Sequence, residues 1–248
     1  MKKKTQIIIL AAGLGKRMNA PVPKVLVEFR GRPIITYILD AVKESGVCDT
    51  PVIVVGKMAD MVKEALGDKY IYAFQKEQLG TANAVECAKE VTPHDAENIL
   101  VLYGDQPSIT AKLIHNMIDT HEKEGTVLTM ATVTVPDFEG WRQMFLDFSR
   151  IIRDENGVII NNVEKKDQTE EQKKIKEVNP ALMIFDAKWM WKNISNIKNE
   201  NVAGEYYLTD LIQLAFKEGE RIATVPIRPE EALGINSKEH IELLDDLV

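Results

Sequence analysis

Short apolar runs alternate with helical segments over about the first 130 residues, and this alternation constrains the fold more than any other feature. Gln6–Ala12 is a continuous apolar run that ends in Gly-Leu-Gly, a pattern typical of a central parallel strand covered on both faces. Comparable runs follow at Pro51–Val55, Tyr70–Phe74, Asn98–Tyr103 and Thr126–Val135. The alternation predicts an α/β fold with a parallel sheet, which binds ligands at the carboxyl ends of its strands.

The segments between these runs have helical periodicity. They are Ile34–Lys43, Ala59–Leu66, Thr81–Val91 and Thr110–Lys123, with Thr110 as the predicted N-cap of the last.

The second half of the chain has a hairpin pattern instead. Strands are predicted over Arg150–Arg153, Val158–Val163 and Ile175–Phe185, and Glu164–Lys176 is predicted to be a solvated helix or loop. A helix over Tyr207–Glu218, a strand over Arg221–Ile227 and an amphipathic helix over Ser237–Leu247, with Ser237 as N-cap, complete the pattern. No linker or internal repeat interrupts the sequence, so we expect one domain with an internal lobe.

The composition disfavours several classes of partner. The chain of 248 residues has 31 Lys+Arg against 38 Asp+Glu, a net charge of −7, which disfavours a broad nucleic-acid or anionic-membrane surface. No run approaches the ~20 apolar residues of a membrane span. Cys48 and Cys87 fit no metal-ligand spacing, and the four histidines are scattered, so solvated or capping roles are expected for them. We therefore expect a cytoplasmic protein.

The first motif is the sequence LAAGLGKR at Leu10–Arg17, followed by PKVL at Pro23–Leu26. It is not a P-loop, because Leu10 stands where glycine is required, and Met18 replaces the third glycine of the dinucleotide fingerprint. Small residues after a strand let backbone N–H groups approach an anion, and Arg17 and Lys24 supply charge for a triphosphate. The alternative is a plain strand–turn–helix with surface cations.

Two further motifs follow predicted strands. In QKEQLGTA, a glutamine beside a Gly-Thr turn suits recognition of a nucleobase edge, and the alternative is a helix N-terminus capped by Thr81. In LYGDQP, Asp105 ends a buried strand, a common position for a metal ligand, and Mg²⁺ prefers one or two protein oxygens with phosphates and water. The alternative there is an ordinary turn residue.

A last group of polar residues completes the pattern: Glu164, Asn179, the segment GEYYLTD and Asn236. Each alone is equally well explained as a cap, a turn or a solvated side chain. In this order and spacing, however, the chain resembles the pyrophosphorylase (uridylyltransferase) domain of the bifunctional N-acetylglucosamine-1-phosphate uridylyltransferase family. The resemblance runs essentially from end to end and is sharpest in LAAGLGKRM, PKVL, EQLGTA, LYGD, RIIRD, VEKKD, EVN, GEYYLTD and GIN.

This resemblance implies a Rossmann-like nucleotide-diphospho-sugar transferase fold, with a nucleotide-binding part over about 1–135 and a smaller sugar-binding lobe with closing elements over 136–248. It implies Mg²⁺-dependent transfer of uridylyl from UTP to a sugar 1-phosphate, giving UDP-N-acetylglucosamine and pyrophosphate. The implied residues are Arg17 and Lys24 for catalysis; Ala11, Ala12, Gly13, Gly15, Gln75, Gly80 and Thr81 for the nucleotide; Tyr103, Gly104, Ser149, Glu164, Asn179, Tyr207 and Thr209 for the sugar; and Asp105 and Asn236 for the metal.

The chain departs from the family on the sugar side. Ser149 stands where the family has the glycine of Tyr-Gly-Arg, Pro180 and Ala181 replace Thr-Gly after Asn179, and the segment 137–147 is longer. UTP chemistry is therefore a firmer expectation than N-acetylglucosamine. The alternatives are another sugar 1-phosphate and a catalytically weak module that binds nucleotide sugars.

The bifunctional family also carries a β-helix acetyltransferase domain through which it forms trimers. This chain stops at Val248 without hexapeptide repeats, so no acetyltransferase activity is expected, and the resemblance predicts no oligomeric state.

Overall fold

The protein is described by a computed structural model that covers residues 3–18 and 20–247, with Lys16 described by its backbone only. The strands are β1 (Thr5–Leu10), β2 (Glu28–Phe29), β3 (Arg32–Pro33), β4 (Val52–Val55), β5 (Ile71–Phe74), β6 (Asn98–Tyr103), β7 (Leu128–Thr134), β8 (Ser149–Arg153), β9 (Ile159–Val163), β10 (Glu177–Asn179), β11 (Met183–Asp186) and β12 (Ile222–Pro226). The helices are α1 (Ile34–Ser45), α2 (Ala59–Leu66), α3 (Thr81–Cys87), α4 (Ala111–Glu124), α5 (Ala187–Asn193), α6 (Asp210–Lys217) and α7 (Lys238–Leu247).

Ten of these strands form one mixed sheet in the order β5-β4-β1-β6-β11-β7-β10-β8-β9, with β12 beside β7. The strands β5, β4, β1 and β6 pair in parallel, as the first half of the sequence predicts. Ile7 and Ile9 of β1 pack on one face under α1 and α4, whereas Ile8 packs on the other with α3 and α6. The α/β fold with a Rossmann-like parallel core is confirmed.

The second half adds antiparallel strands to this core. β11 lies antiparallel between β6 and β7, and β10, β8 and β9 continue the sheet beyond β7. β12 runs parallel to β7 and leads the chain back toward the end of β6. The sheet is thus continuous from the parallel core into the predicted lobe.

The predicted single strand Ile175–Phe185 is wrong, because it divides into β10 and β11. Pro180 has no N–H to donate to a ladder, and Ala181 adopts a left-handed conformation with φ 64°. The Asn179 side chain stabilises the turn, since its Oδ1 accepts the Ala181 N–H at 2.7 Å. The turn sends the two halves of the segment to opposite sides of β7.

The segment 137–147 forms a 3-10 stretch over Gly140–Asp147 that is fixed to β8. Phe145 is buried, and its ring lies 4.9 Å from that of Phe148. The buried guanidinium of Arg150 donates from Nη1 to the carbonyl oxygens of Phe145 and Phe148, at 2.9 and 2.6 Å. These contacts deliver Asp147, the last residue of the stretch, to the edge of a cavity.

The other predicted elements are confirmed with small shifts at their ends. Thr110 caps α4 as predicted, accepting the Leu113 N–H at 3.2 Å. The predicted helix Thr81–Val91 ends at Cys87 and continues as a 3-10 turn. Two elements were not predicted, α5 and the short β2–β3 hairpin. Within residues 3–18 and 20–247, no helix has the length and apolar character needed to cross a bilayer.

His121 on α4 is buried, so the solvated or capping role expected for it is wrong. Its Nδ1 lies 3.0 Å from the Thr129 hydroxyl, and burial, with a smaller effect of Lys3, lowers its pKa to about 4. In the unfolded chain the histidine pKa is about 6.5, so as pH falls the unfolded state is protonated before the folded state. The contribution of neutral His121 to the free energy of unfolding is therefore fully present above pH 6.5 and is lost as pH falls toward 4.

We expect the free energy of unfolding to fall by about 2 kcal/mol between pH 7 and pH 5 because of this one group. Urea unfolding of wild type and His121→Gln at both pH values measures it, since the variant should lose less stability by that amount. His115→Gln, at a half-buried position on the same helix, is the control. Equal pH dependence in wild type and His121→Gln would contradict the assignment.

Candidate active site

Two cavities open side by side at the carboxyl ends of β1 and β6, where ligands were predicted to bind. The first cavity measures ≈ 260 Å³ and the second ≈ 320 Å³. Lys24, Tyr103 and Asp105 line both, so the cavities meet at these three side chains. The first cavity is also lined by Ala12, Gly13, Gln75, Gln78, Gly80, Thr81 and Glu205, and the second by Gln106, Asp147, Ser149, Glu164, Asn179, Pro180 and Asn236.

The loop after β1 shapes the first cavity around Lys24. Gly15 has φ +60°, and a Cβ on it would lie 2.7 Å from Cβ of Lys24, so only glycine lets the lysine stem pass there. Ala12 and Gly13 line the cavity, whereas Ala11 packs below it and donates its N–H to Val54 O at 2.8 Å. The loop therefore acts by admitting and directing one cation.

Gln75 is held in one orientation at the other wall of the first cavity. Its Nε2 donates to Gly80 O at 3.1 Å and to Asn83 Oδ1 at 2.9 Å. Because both amide protons are used inside the protein, its amide oxygen is the group left to accept from a ligand. Gly80 has φ +118°, and a Cβ there would lie 2.7 Å from the Tyr206 backbone nitrogen.

Thr81 begins α3 but does not cap it. Gly80 occupies the N-cap position, and Thr81 Oγ1 instead accepts the Leu208 N–H at 2.9 Å, which fastens the segment around Tyr206 to the cavity wall. The alternative interpretation of Thr81 as a helix cap is therefore wrong. Gln78, from the same motif, donates to the Ala12 carbonyl and ties the two loops together.

The centre of the site is a lysine held by two oxygen side chains. Lys24 Nζ donates to Asp105 Oδ2 and, at 2.9 Å, to Asn236 Oδ1. The Lys24 and Asp105 side chains are only 15% and 13% exposed. The Ile235 N–H donates to Asp105 O at 2.8 Å, and this bond brings the segment with Asn236 beside β6.

Asp105 and Asn236 have the donor atoms that a hard divalent cation prefers. Their oxygens converge on one positively charged point, the Lys24 ammonium, so the same pair fits a cation whose remaining ligands are phosphates and water. In the part of the chain that the structure describes, no cluster of three or more His, Cys, Asp or Glu side chains could hold a metal.

Arg17 lies at the cavity mouth and not inside it. Its side chain is 66% exposed, and Nη1 is 4.0 Å from Asp147 Oδ2. Asp147 also forms an ion pair with Lys165. Arg17 and Lys24 come from adjoining motifs, yet the structure buries only the second among polar partners.

The walls of the second cavity are joined through one side chain that does not line it, Asn162 of β9. Ser149 Oγ and Asn179 Nδ2 each donate to Asn162 Oδ1 at 3.0 Å. Gln106 Nε2 donates to Pro180 O at 3.1 Å and fixes the turn described above. Two of the positions that depart from the family, Ser149 and Pro180, thus have defined partners.

The acidic end of the second cavity is formed around Glu164. Its Oε1 accepts from Thr209 Oγ1 at 2.7 Å, and burial raises the pKa of its carboxyl. Burial, with the nearby Glu164 and Asp105, raises the pKa of Tyr103. The pKa of Tyr207 rises to about 12, chiefly through burial, with Glu205 and Glu164 contributing. Both phenols therefore stay protonated at neutral pH.

Six residues implied for the site do not line either cavity: Ala11, Gly15 and Arg17, described above, and Gly104, Tyr207 and Thr209. Gly104 packs against β1, where a Cβ would lie 3.1 Å from Val25 Cγ1. Thr209 reaches the cavity only through Glu164, and Tyr207 lies next to that pair. Gly104, Thr209 and Tyr207 therefore lie behind the cavity walls and do not line the cavities.

Sequence reasoning missed several lining or supporting side chains. Gln78 could have been found, because it stands three residues after Gln75 in the same motif. Asp147 and Asn162 lie where the chain departs from the family or in its hairpin, so no motif marked them. The missed residues are Gln78, Glu205, Gln106, Asp147 and Asn162.

Comparison with known proteins identifies the family to which the chain belongs. Residues 7–180 match the MobA-like NTP transferase domain. The chain is 38% identical over 231 residues to a bifunctional protein GlmU of Caldanaerobacter subterraneus subsp. tengcongensis, covering 93% of this chain and 49% of that protein. It is 40% identical over 232 residues to that of Clostridium acetobutylicum, with the same coverage. The chain thus spans about half the length of these relatives, and the resemblance found in the sequence is confirmed.

Solved structures share the fold at low identity. A putative glucose-1-phosphate thymidylyltransferase from Bacillus anthracis superposes with a TM-score of 0.75 at 19% identity, covering 98% of this chain and 94% of that one. A 4-diphosphocytidyl-2C-methyl-D-erythritol synthase from Anaerococcus prevotii gives 0.69 at 18% identity, covering 99% and 96%. Together with the family match, the paired cavities and the buried lysine lead to one conclusion: the chain belongs to the MobA-like NTP transferase family and is a nucleotidyltransferase domain.

Proposed function

We propose that this domain transfers uridylyl from UTP to a sugar 1-phosphate, with N-acetylglucosamine 1-phosphate as the first choice of acceptor. The observation that carries the proposal is the meeting of two cavities at Lys24 and Asp105. One cavity has a nucleobase-sized wall with an oriented amide, and the other is lined by hydroxyl, amide and carboxylate groups that suit a sugar. In this proposal residues 1–135 form the nucleotide-binding part and residues 136–248 the sugar-binding lobe. All residues that line the first cavity, except Glu205, belong to the nucleotide-binding part.

The reaction needs positioning and charge more than a protein nucleophile. A phosphate oxygen of the acceptor attacks the α-phosphorus of UTP, the bond from that phosphorus to the β-phosphate oxygen breaks, and pyrophosphate leaves. Lys24 lies where the two substrates would meet, so its ammonium is the group to offset the charge that develops on the transferred phosphate. Arg17 is proposed as a second phosphate contact, reached by leaving Asp147.

Gln75 supports a uracil base. Its free acceptor, the amide oxygen, matches the N3–H donor of uracil, whereas cytosine presents an acceptor at N3. Gly80 and Thr81 complete the wall beside it. The same argument does not separate uracil from thymine.

Mg²⁺ is the proposed cofactor, held by Asp105 and Asn236. When bound it would supply charge neutralisation on the phosphates. Asp105 and Asn236 orient its coordination, and Lys24, now bonded to both, would turn to the phosphates.

The experiment that tests the proposal is pyrophosphate release with UTP and Mg²⁺ across a panel of sugar 1-phosphates. The panel contains the N-acetylglucosamine, glucose, galactose and N-acetylgalactosamine forms. Pyrophosphate release with N-acetylglucosamine 1-phosphate supports the proposal in full. Release with only one of the other sugar 1-phosphates would replace N-acetylglucosamine 1-phosphate as the proposed acceptor. No release with any acceptor, from folded protein that binds UDP-sugar by calorimetry, would replace it with a binding module.

A different acceptor sugar is the second candidate, and the Ser149 and Ala181 geometry favours it. Ser149 adds a hydroxyl that is already bonded to Asn162, and Ala181 adds a methyl group in a left-handed conformation. If the panel identifies a different native acceptor, we expect Ser149→Gly combined with Pro180→Thr and Ala181→Gly to raise kcat/KM for N-acetylglucosamine 1-phosphate about tenfold, the scale of one small group in a pocket. The KM for UTP should not change. No gain would remove the argument from these positions.

A further inference from the structure

Asn162 joins side chains from three elements behind the wall of the second cavity. It lies on β9, and its Oδ1 accepts from Ser149 of β8 and Asn179 of β10. Since both donors meet the oxygen, the amide has only one orientation, with Nδ2 on the opposite side. There, Nδ2 is buried and forms no hydrogen bond within residues 3–18 and 20–247.

Glu164 follows the end of β9, two residues after Asn162, and the Asn162 amide lies near its carboxyl. The amide lowers the pKa of Glu164, against burial and the like charges of Asp167 and Glu205, which raise it. Thr209 is the other side chain that stabilises the ionised carboxylate.

Filling of the core does not explain this side chain. A buried donor without a partner costs stability, and an apolar residue of similar size would avoid that cost. Ser149 and Asn179 border the second cavity but are only 4% and 3% exposed, so their donors are directed to Asn162 and not to bulk water. What Asn162 adds is a fixed direction for the side chains around it.

We propose that Asn162 is the positioning residue of the second cavity: its amide oxygen holds Ser149 and Asn179, beside Glu164, in the arrangement that receives the sugar of the acceptor. This inference rests on the proposed function. It deepens that function by naming a residue that selects the acceptor without touching it. A substitution of Asn162 should leave nucleotide binding unchanged, because neither of its side-chain hydrogen-bond partners, Ser149 and Asn179, lines the first cavity.

The kinetic test compares Asn162→Leu with wild type in pyrophosphate release. We expect the KM for the sugar 1-phosphate to rise about 10- to 100-fold, the effect of two misplaced hydrogen-bonding groups, and the KM for UTP to stay within about twofold. Asn161→Asp is the matched control, since Asn161 faces the opposite side of β9 and aspartate keeps the side-chain oxygen that accepts the Asn162 N–H at 2.8 Å. Ser149→Ala removes one of the two bonds and should raise the same KM about threefold to tenfold.

A second readout is independent of catalysis. NMR titration of the Glu164 carboxyl, without substrate, should give a higher pKa in Asn162→Leu than in wild type, because the stabilising amide is lost. Other ionisable groups that interact with Glu164 remain in both proteins and cancel in the comparison: Tyr103, Asp167, Glu205, Tyr207 and Asp210.

The outcomes separate this inference from the proposed function. An unchanged Glu164 pKa in Asn162→Leu overturns the positioning role, whatever the enzyme does, and so does an equal rise in both KM values. Wild-type protein that is silent with every acceptor overturns the proposed function, and the titration alone then decides the role of Asn162. If Asn162→Leu does not fold, an unchanged acceptor KM in Ser149→Ala overturns the inference.

Discussion

Lys24→Ala should lower turnover by about 100- to 1,000-fold, the loss expected when one donor to transition-state charge is removed. Lys24 is the only cation that lines both cavities within the described residues, so no neighbouring side chain replaces it. The KM values should change less than kcat, because the charge it offsets develops during transfer. Steady-state pyrophosphate release with UTP and the acceptor identified by the panel measures both.

Two variants control this result. Lys43→Ala removes an exposed lysine from α1 and should leave turnover unchanged. Lys24→Arg keeps the charge but replaces a compact ammonium group by a planar guanidinium group, so its turnover should lie between those of Lys24→Ala and wild type. Near-wild-type turnover in Lys24→Ala, with the protein folded, would remove Lys24 from the reaction.

Asp105→Asn should lower turnover by at least about 100-fold at ordinary Mg²⁺, because it removes the one charged ligand of the proposed cation site. The substitution keeps the size of the side chain and an oxygen acceptor, so Lys24 retains a partner. A titration of activity with Mg²⁺ should show half-saturation at a much higher concentration than in wild type.

The control for Asp105 is another ion-paired carboxylate far from the cavities. Asp40 accepts from Arg32 at 2.6 Å on the surface, and Asp40→Asn should leave both the turnover and the Mg²⁺ dependence unchanged. An Asp105→Asn enzyme that is saturated by Mg²⁺ as wild type is would exclude Asp105 as a ligand.

The parallel half of the fold could be predicted because its pattern is local. A strand such as β1 is buried on both faces, so every residue of Ile7–Ile9 is apolar and the run is plain in the sequence. The motifs that follow β1 and β6 end at one edge of the sheet by topology alone. Both motifs were therefore expected at the ligand-binding edge of the sheet before any contact was known.

The second half could not be predicted to the same extent, because its geometry depends on contacts between distant residues. The break between β10 and β11 needs the Asn179 side chain to stabilise Ala181 in a left-handed conformation. Asn162 gains its role only when β8 and β10 bring Ser149 and Asn179 to it. The difference between Arg17 and Lys24 is likewise one of burial, which no motif specifies.

The return of the chain along β12 has a consequence for the order in which the site is built during synthesis. Every residue that lines the first cavity has been synthesised once the chain reaches Glu205, but Asn236 follows 31 residues later. The bond from Ile235 to Asp105 then fastens the last component in place. A nascent chain that stops before Asn236 contains every residue that lines the first cavity but lacks the amide oxygen opposite Asp105. Under the role proposed for Asn236, the domain becomes competent for the reaction only after β12 has been synthesised.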